Sequence, residues 1–108
     1  MDRSAVEIGL GNDLFTICAF EDEQIVGCGR VVGDGGIYFY VQDVIVMPSH
    51  QGRGIGRCLM DAVMLWLDGH ARKGSFVGLM AAEGVTGFYE RYGFAPRPQG
   101  RPGMFRVW

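Results

Sequence analysis

The fold of this chain is decided by the stretch Val44-Ile45-Val46-Met47-Pro48-Ser49-His50-Gln51-Gly52-Arg53-Gly54-Ile55-Gly56-Arg57. Its apolar first part predicts a strand, and the amphipathic segment that starts at its end predicts a helix. The first turn of a helix has backbone N–H groups without intrahelical partners, at the positive end of the helix dipole. The three glycines let a bulky anion approach the backbone closely, and the two arginines add positive charge. We therefore expect this turn to bind a phosphate group.

Other glycine-rich turns bind different ligands, and the spacing separates them. A P-loop for ATP has a lysine followed by serine or threonine after its last glycine, and no such pair is present. A dinucleotide-binding turn has Gly-x-Gly-x-x-Gly after the first strand of a βαβ unit. Here the spacing is Gly-x-Gly-x-Gly and the strand is not the first. An ATP-binding protein is therefore disfavoured, and a tight turn without a ligand remains the alternative.

Length and composition are those of one small domain over residues 1–108. A chain of 108 residues suffices for a single core but not for two. The net charge of −2 argues against nucleic-acid or membrane-surface partners, because such binding requires a basic patch. No apolar run approaches the roughly 18 residues of a spanning helix, and the first residues lack the apolar core of a signal peptide. These features predict a cytoplasmic protein.

The cysteines and histidines predict neither disulfides nor a metal site. Cys18, Cys28 and Cys58 are odd in number and lack Cys-x-x-Cys spacing. We expect them to be reduced, mostly buried thiols. His50 and His70 are too isolated to form a metal site, so no metal is expected.

Hydrophobic periodicity predicts a mixed α/β sheet. Three strands joined by short turns form an antiparallel meander, and a strand-loop-helix-strand crossover follows. The expected strands are 14–20, 25–32, 37–46, 75–81 and 104–108, and the expected helices are 55–68 and 85–91. Gly27 and Gly29 weaken the second strand or mark a bulge. Gly69 is expected to cap the long helix, and Met60 and Met64 are expected in the core.

Two motifs resemble the signatures of the GNAT superfamily of acyl-CoA-dependent N-acyltransferases. The first is Val46-x-Pro48-x-x-Gln51-Gly52-x-Gly54-x-Gly56, whose spacing matches without a gap. The second is Phe88-Tyr89-Glu90-Arg91-Tyr92-Gly93-Phe94, which resembles Phe-Tyr-x-x-x-Gly-Phe. The resemblance covers about residues 24–108. It implies transfer of an acetyl group from acetyl-CoA to a primary amine of a small molecule or protein, by direct attack in a ternary complex.

The resemblance also implies where acetyl-CoA binds. The glycine-rich turn would hold the pyrophosphate, and the strand before it would pair through its main chain with the pantetheine arm. N–H groups of that strand could also polarise the thioester carbonyl. The residues expected to contact the cofactor are Val44, Ile45, Val46, Gln51, Gly52, Arg53, Gly54, Ile55, Gly56 and Arg57.

Tyr89 is the candidate general acid, because the superfamily commonly places a tyrosine at this position, close to the CoA sulfur. A phenol with a pKa of about 10 stays protonated at neutral pH, and it can hydrogen-bond to a departing thiolate whose thiol has a pKa of about 8.5. Tyr92 shares part of that helical face, but the motif favours Tyr89. A tyrosine that only packs the helix is the alternative.

No single residue stands out as the general base. Superfamily members carry a glutamate or histidine where this chain has Gln42 or Tyr40. Asp43 is a carboxylate, but strand alternation directs it to the opposite face unless a bulge intervenes. Glu83 lies near a position where the superfamily often has an asparagine beside the cofactor arm. Asp43, Glu83, Tyr40 and water therefore all remain candidates.

Residues 1–12 are too few for the strand and one or two helices with which GNAT domains usually begin. We expect a truncated domain, a minimal member, or a chain that completes its acceptor site with a partner subunit. The strands 14–20 and 25–32 carry apolar residues on both faces, which predicts a homodimer. A CoA-binding module without turnover, acting as a sensor or subunit, is the alternative function.

Overall fold

The computed structural model describes residues 1–108 and contains one four-stranded sheet in the order β1-β2-β3-β4. Strands β1 to β3 are antiparallel, and β4 is parallel to β3. The elements are α1 (Arg3–Leu10), β1 (Phe15–Glu21), β2 (Gln24–Gly33), β3 (Tyr38–Val46), a 3-10 turn (Pro48–His50), α2 (Ile55–His70), β4 (Phe76–Gly78) and α3 (Thr86–Glu90). The chain passes from β3 to β4 through α2, so the predicted meander and crossover are confirmed.

The core lies between α2 and one face of the sheet. Six buried side chains form it: Val31, Phe39, Val41, Met60, Val63 and Leu67. Burial of each such side chain contributes about 1.5–3 kcal/mol to folding. Met60 is completely buried and Met64 packs against the cluster, which confirms the expectation that both methionines belong to the core. This packing fixes α2, and therefore its first turn, relative to β3.

Helix α2 ends later than the sequence predicts. Gly69 was expected as its cap, but the helix continues to His70 and is capped at Ala71. The His70 ring stacks on Trp66 with centroids 4.0 Å apart, and its Nδ1 lies 2.7 Å from the Trp66 carbonyl oxygen. These contacts satisfy a carbonyl of the last turn and extend the helix past a residue that usually ends one.

The N-terminal segment contains one short helix and no strand, so the expectation that residues 1–12 cannot hold the usual opening strand and helices is wrong only for one helix. Asp2 caps α1, and its carboxylate accepts a hydrogen bond of 2.7 Å from the Ser4 backbone N–H. Arg3 and Glu7 form an ion pair of 3.2 Å one turn apart on the helix surface. An N-cap and an i,i+4 ion pair stabilise a helix through neighbouring residues alone, so they act even in a short segment. Here they support a helix of eight residues.

The C-terminal part of the sheet is shorter than predicted. β4 covers three residues instead of seven, because its ladder with β3 stops at the pair Tyr40 and Gly78. The expected strand 104–108 is absent, and its large side chains are between 77% and 94% exposed. Apolar, β-prone residues form a strand only where a neighbouring strand pairs with them, and this segment has no such partner.

The three cysteines are free thiols. Cys18 and Cys28 are half-buried on neighbouring strands, whereas Cys58 is exposed on α2. The expectation of mostly buried thiols is therefore wrong for Cys58, which lies in the first turn of α2, where no other element covers it. Separately, none of the helices combines the length and the apolar character needed to cross a membrane.

Candidate active site

A cleft opens where β3 and β4 separate. Beyond Tyr40, the edge of β3 that faces away from β2 has no strand partner. The cleft has a volume of about 260 Å³ and is lined by Tyr40, Val41, Gln42, Asp43, Val44, Ile45, Met80, Ala82 and Tyr89. Two of the strand residues expected to contact a cofactor therefore line it, and the third, Val46, lies at its end. An extended molecule with amide groups can pair with this open strand edge.

A bulge in β3 decides which side chains face the cleft. Cys28 pairs with Ile45 and Arg30 with Gln42, so two residues of β3 lie opposite the single residue Gly29. Asp43 occupies the bulge with a positive φ of 56°. Of the two glycines expected to weaken the second strand or mark a bulge, Gly29 lies opposite the bulge and Gly27 pairs normally with Val46. The bulge removes the alternation that would have turned Asp43 toward the core.

Asp43 is held by charged and polar neighbours. Its Oδ2 accepts a hydrogen bond of 3.1 Å from Arg30 Nη1, and its Oδ1 accepts one of 3.2 Å from Gln42 Nε2. Arg30 also pairs with Asp13 and donates to the Gly9 carbonyl at the end of α1. The hydrogen bond that Arg30 donates to Asp13 is the main reason that the pKa of Arg30 is raised. The guanidinium thus links α1, β2 and the bulge, a cluster that sequence analysis missed.

The turn before α2 presents six consecutive backbone N–H groups that have no acceptor in the chain, from Gly52 to Arg57. Gly52 and Gly54 have φ values of 80° and 82°, a conformation that disfavours other residues and that directs the turn into the helix. The Gln51 side chain donates to the Val46 carbonyl at 3.1 Å, which ties the turn to the end of β3. The structure therefore has free N–H groups at the start of α2, as the sequence predicts, and phosphate binding by this turn stays a prediction.

The charge near this turn is less positive than the sequence suggests. No acidic residue lies between Ser49 and Arg57, yet Glu21 reaches the turn from the end of β1. Its carboxylate pairs with the His50 ring and lies 3.7 Å from Arg53 Nη1. An anion would therefore compete with Glu21 for Arg53, whereas the backbone N–H groups are free.

Tyr89 lies at the far end of the cleft, in α3. Its ring packs edge-on against Phe88 and Phe94, with centroids 5.1 Å and 6.4 Å away. Burial alone raises the pKa of Tyr89 above its usual value, and its hydroxyl has no hydrogen-bond partner in the chain. A half-buried, protonated phenol that is free to donate a hydrogen bond fits the expected role at a leaving group.

Tyr92 has a different role from Tyr89. Its hydroxyl donates a hydrogen bond of 2.9 Å to Asp61 Oδ1 and lies 3.3 Å from the Arg57 carbonyl oxygen. Burial, followed by the contact with Asp61, raises the pKa of Tyr92. These contacts attach the turn after α3 to α2, so the Tyr92 hydroxyl already has hydrogen-bond partners, whereas the Tyr89 hydroxyl has none.

One candidate for the general base lies outside the cleft. Glu83 is exposed in the turn before α3 and does not line the cleft. A wider groove of about 730 Å³ runs along the free edge of β4 toward Pro96, and Tyr89 lines this groove too. No three His, Cys, Asp or Glu side chains are grouped to hold a metal ion.

An open strand edge, a turn of free N–H groups and a protonated tyrosine are the features that the sequence predicts for a GNAT acyltransferase. Comparison with known proteins agrees with this class. The family profile of the acetyltransferase (GNAT) domain matches residues 12–96. The chain therefore belongs to the GNAT family of acetyltransferases.

Similar proteins have a range of names. Serotonin N-acetyltransferase 2, chloroplastic, from Oryza sativa subsp. japonica is 42% identical over 73% of this chain and 38% of its own length. An uncharacterized N-acetyltransferase of Pyropia yezoensis is 30% identical over 93% of this chain and 59% of its own length. The chain thus spans less than two thirds of the length of these relatives.

Solved structures share the fold. A probable acetyltransferase from meticillin-resistant Staphylococcus aureus superposes with a TM-score of 0.92 and 32% identity, covering 100% of this chain and 81% of that one. A GNAT acetyltransferase from Elizabethkingia anophelis, solved with acetyl-CoA bound, gives a TM-score of 0.66 over 90% of this chain and 63% of its own. Because the identity to the second is only 19%, that likeness concerns the fold alone.

Proposed function

We propose that this protein transfers the acetyl group of acetyl-CoA to a primary amine of a small molecule or a protein, by direct attack in a ternary complex. One observation carries the proposal: the open edge of β3 connects the free N–H groups of Gly52 to Arg57 with the unpartnered hydroxyl of Tyr89. These are the groups needed to hold a diphosphate, align an extended arm and assist a leaving thiolate.

The residues that would bind acetyl-CoA are those on the turn and on β3. Backbone N–H groups from Gly52 to Arg57 would bind the pyrophosphate, while Arg53 and Arg57 add charge at its edge. The main chain of Val44, Ile45 and Val46 would pair with the amides of the pantetheine arm. Gln51 would contribute by fixing the turn, because its side chain holds the turn to β3. Ile55 would contribute only its backbone N–H group.

Tyr89 would assist departure of the thiolate by a hydrogen bond rather than by complete proton transfer. An ordinary phenol is a weaker acid than a thiol by about 1.5 pKa units, or roughly 2 kcal/mol. Burial of Tyr89 raises its pKa and widens this difference. A hydrogen bond that strengthens as charge grows on sulfur avoids that cost.

We propose that the amine loses its proton on the β3 side of the cleft, through water held at Asp43. Asp43 lines the cleft and Glu83 does not. The Arg30 pair keeps Asp43 in place at the bulge. Tyr40 lines the same cleft and would position the water rather than accept a proton.

The names of relatives support both kinds of acceptor. One is named as a serotonin N-acetyltransferase, and a soybean relative, 32% identical over 79% of this chain and 36% of its own length, is named as a histone acetyltransferase. The proposed class of acceptor is therefore a primary amine. We propose that the loop 96–103, beside the wider groove, determines which amine is accepted.

Amine-dependent release of CoA tests this function. Purified protein with acetyl-CoA and a panel of arylalkylamines and lysine-containing peptides should release CoA only when an accepted amine is present, as measured with a thiol reagent. Binding of acetyl-CoA is measured in parallel. Binding of acetyl-CoA without amine-dependent release would instead support a CoA-binding module. One observation favours that alternative: the carboxylate in the cleft, Asp43, is already paired with Arg30.

We also propose a homodimer. Phe20 and Ile25 face each other across β1 and β2 and are 62% and 56% exposed. Large exposed apolar groups in one region mark interaction surfaces. Sedimentation velocity at micromolar concentration should show a species of twice the chain mass, and Ile25→Glu should shift it to the monomer. A single wild-type species at the monomer mass would contradict the dimer.

The cytoplasm remains the proposed location, and the three free thiols support a reducing compartment. Relatives from rice and Arabidopsis thaliana are named as chloroplastic.

A further inference from the structure

Two of the three cysteines face each other across the sheet. Cys18 on β1 and Cys28 on β2 are direct partners in the antiparallel register, and both thiols are free. Cys58 lies apart from them on α2. We propose that Cys18 and Cys28 form a reversible disulfide under oxidising conditions, a modification site next to the strand that would bind the cofactor.

The backbone geometry permits this bond. Directly opposite residues of an antiparallel pair have Cα atoms about 4.5 Å or 5.5 Å apart, depending on the type of pair, and side chains on the same face. A disulfide requires Cα atoms about 4.4–6.8 Å apart. Both spacings lie within this range, so the two thiols can join without breaking the β1–β2 ladder.

The pair lies on the sheet face opposite α2. A side chain added at Gly27 would meet Leu59, and one added at Gly29 would come within 3.7 Å of Val63, both on α2. Cys28 lies between these glycines and therefore points the other way. Both thiols are half-buried there, so a small oxidant can reach them without displacing the core.

The surroundings of Cys28 separate the roles of the two thiols. Its Sγ donates a hydrogen bond of 3.4 Å to the Asp43 carbonyl oxygen. Burial, and after it the neighbouring Cys18, raises the pKa of Cys28. Cys28 is thus held as a protonated donor, and Cys18 is assigned as the thiol that reacts first with the oxidant.

Hydrogen peroxide serves as the oxidant in a balanced sequence. The Cys18 sulfur attacks one peroxide oxygen, the O–O bond breaks, and a sulfenic acid and one water form. The Cys18 thiol proton leaves in that first water. The Cys28 sulfur then attacks the Cys18 sulfur, the S–O bond breaks, and the released hydroxyl leaves as a second water with the Cys28 thiol proton. Two thiols are oxidised to one disulfide, and one peroxide is reduced to two waters.

The disulfide would act on the cleft through the β3 bulge. Cys28 pairs in register with Ile45, and its thiol bonds to the backbone of Asp43. Oxidation removes that donor and draws the sulfur toward β1, away from β3. This consequence, unlike the disulfide itself, rests on the proposed function. We expect oxidation to weaken acetyl-CoA binding by about three- to tenfold, the scale of one hydrogen bond.

Mass spectrometry tests the disulfide independently of any activity. The protein is treated with hydrogen peroxide, unfolded, alkylated with iodoacetamide and digested. We expect one alkylated cysteine instead of three, a linked peptide that joins Cys18 to Cys28, and full reversal by dithiothreitol. The Cys58→Ser variant should form the same link, and the matched variants Cys18→Ser and Cys28→Ser should form no intramolecular link.

Alkylation of all three cysteines after peroxide treatment would overturn the proposal, as would a link through Cys58 or irreversible oxidation of one thiol without a link. If the link forms but acetyl-CoA affinity is unchanged, the proposed effect on the cleft is overturned while the modification site stands. If the reduced protein binds no acetyl-CoA, the proposed function fails and the disulfide result is unaffected.

Discussion

Tyr89→Phe is expected to lower kcat by roughly ten- to a hundredfold while acetyl-CoA affinity stays within about twofold. The substitution keeps the ring between Phe88 and Phe94 and removes only the hydroxyl. A hydrogen bond to a charged group is worth about 1.5–3 kcal/mol, and each 1.4 kcal/mol is a factor of ten in rate. The loss falls on kcat because the charge on sulfur develops only in the transition state. Steady-state kinetics and calorimetric titration measure the two quantities.

Tyr92→Phe is the matched control. It removes a hydroxyl from the turn that directly follows α3, but one that bonds to Asp61 and does not reach the cleft. We expect a lower melting temperature and a kcat close to that of the wild type. Equal turnover of Tyr89→Phe and wild type would show that water or another group stabilises the departing sulfur.

Gly56→Val is expected to weaken acetyl-CoA binding by roughly tenfold or more while the fold survives. A Cβ at this position would lie 3.7 Å from Val46 Cγ2 and 4.0 Å from Phe88 Cζ, which is ordinary contact. The two further methyl groups of valine would crowd a pyrophosphate bound to the backbone N–H groups of this turn. Overpacking of this kind costs about 1–3 kcal/mol. Gly54→Val is a poorer test, because the φ of 82° there strains the backbone itself.

Gly69→Val provides the comparison for Gly56→Val. It makes the same substitution in the same helix, at a position with no atom within 4 Å of the added Cβ. Both variants therefore bear a similar loss of helix propensity, and only Gly56→Val is expected to lose affinity for acetyl-CoA. Unchanged affinity of a folded Gly56→Val protein would contradict a phosphate site in this turn.

Local sequence signals were sufficient for the central part of the fold. The strand, the glycine turn and the amphipathic helix are each specified by neighbouring residues, so β3, α2 and the free N–H groups could be predicted. Tyr89 could be selected as the candidate general acid because it belongs to the seven-residue motif from Phe88 to Phe94. The family resemblance, and not residue patterns, predicted that the strand before the turn would pair with a cofactor arm and not only with another strand.

The other features depend on contacts between residues distant in the chain. The bulge places Asp43 beside Arg30, and Glu21 at the end of β1 reaches Arg53 in the turn before α2. Neither of these pairings produces a periodic pattern in the sequence. The strand expected at 104–108 has suitable side chains but no pairing partner. Arg30 stands between Gly29 and Val31 in an otherwise apolar strand. A charged residue at such a position was the one sign in the sequence that an ion pair forms there.

Amide chemical-shift mapping with acetyl-CoA tests the central claim most directly. In 15N-labelled protein titrated with acetyl-CoA, we expect the largest shifts at the N–H groups of Gly52 to Arg57, followed by those of Val44 to Val46, and a smaller change at Tyr89. Shifts confined to the groove between β4 and Pro96, with the turn unchanged, would contradict a phosphate-binding turn and the acetyl-transfer site built on it.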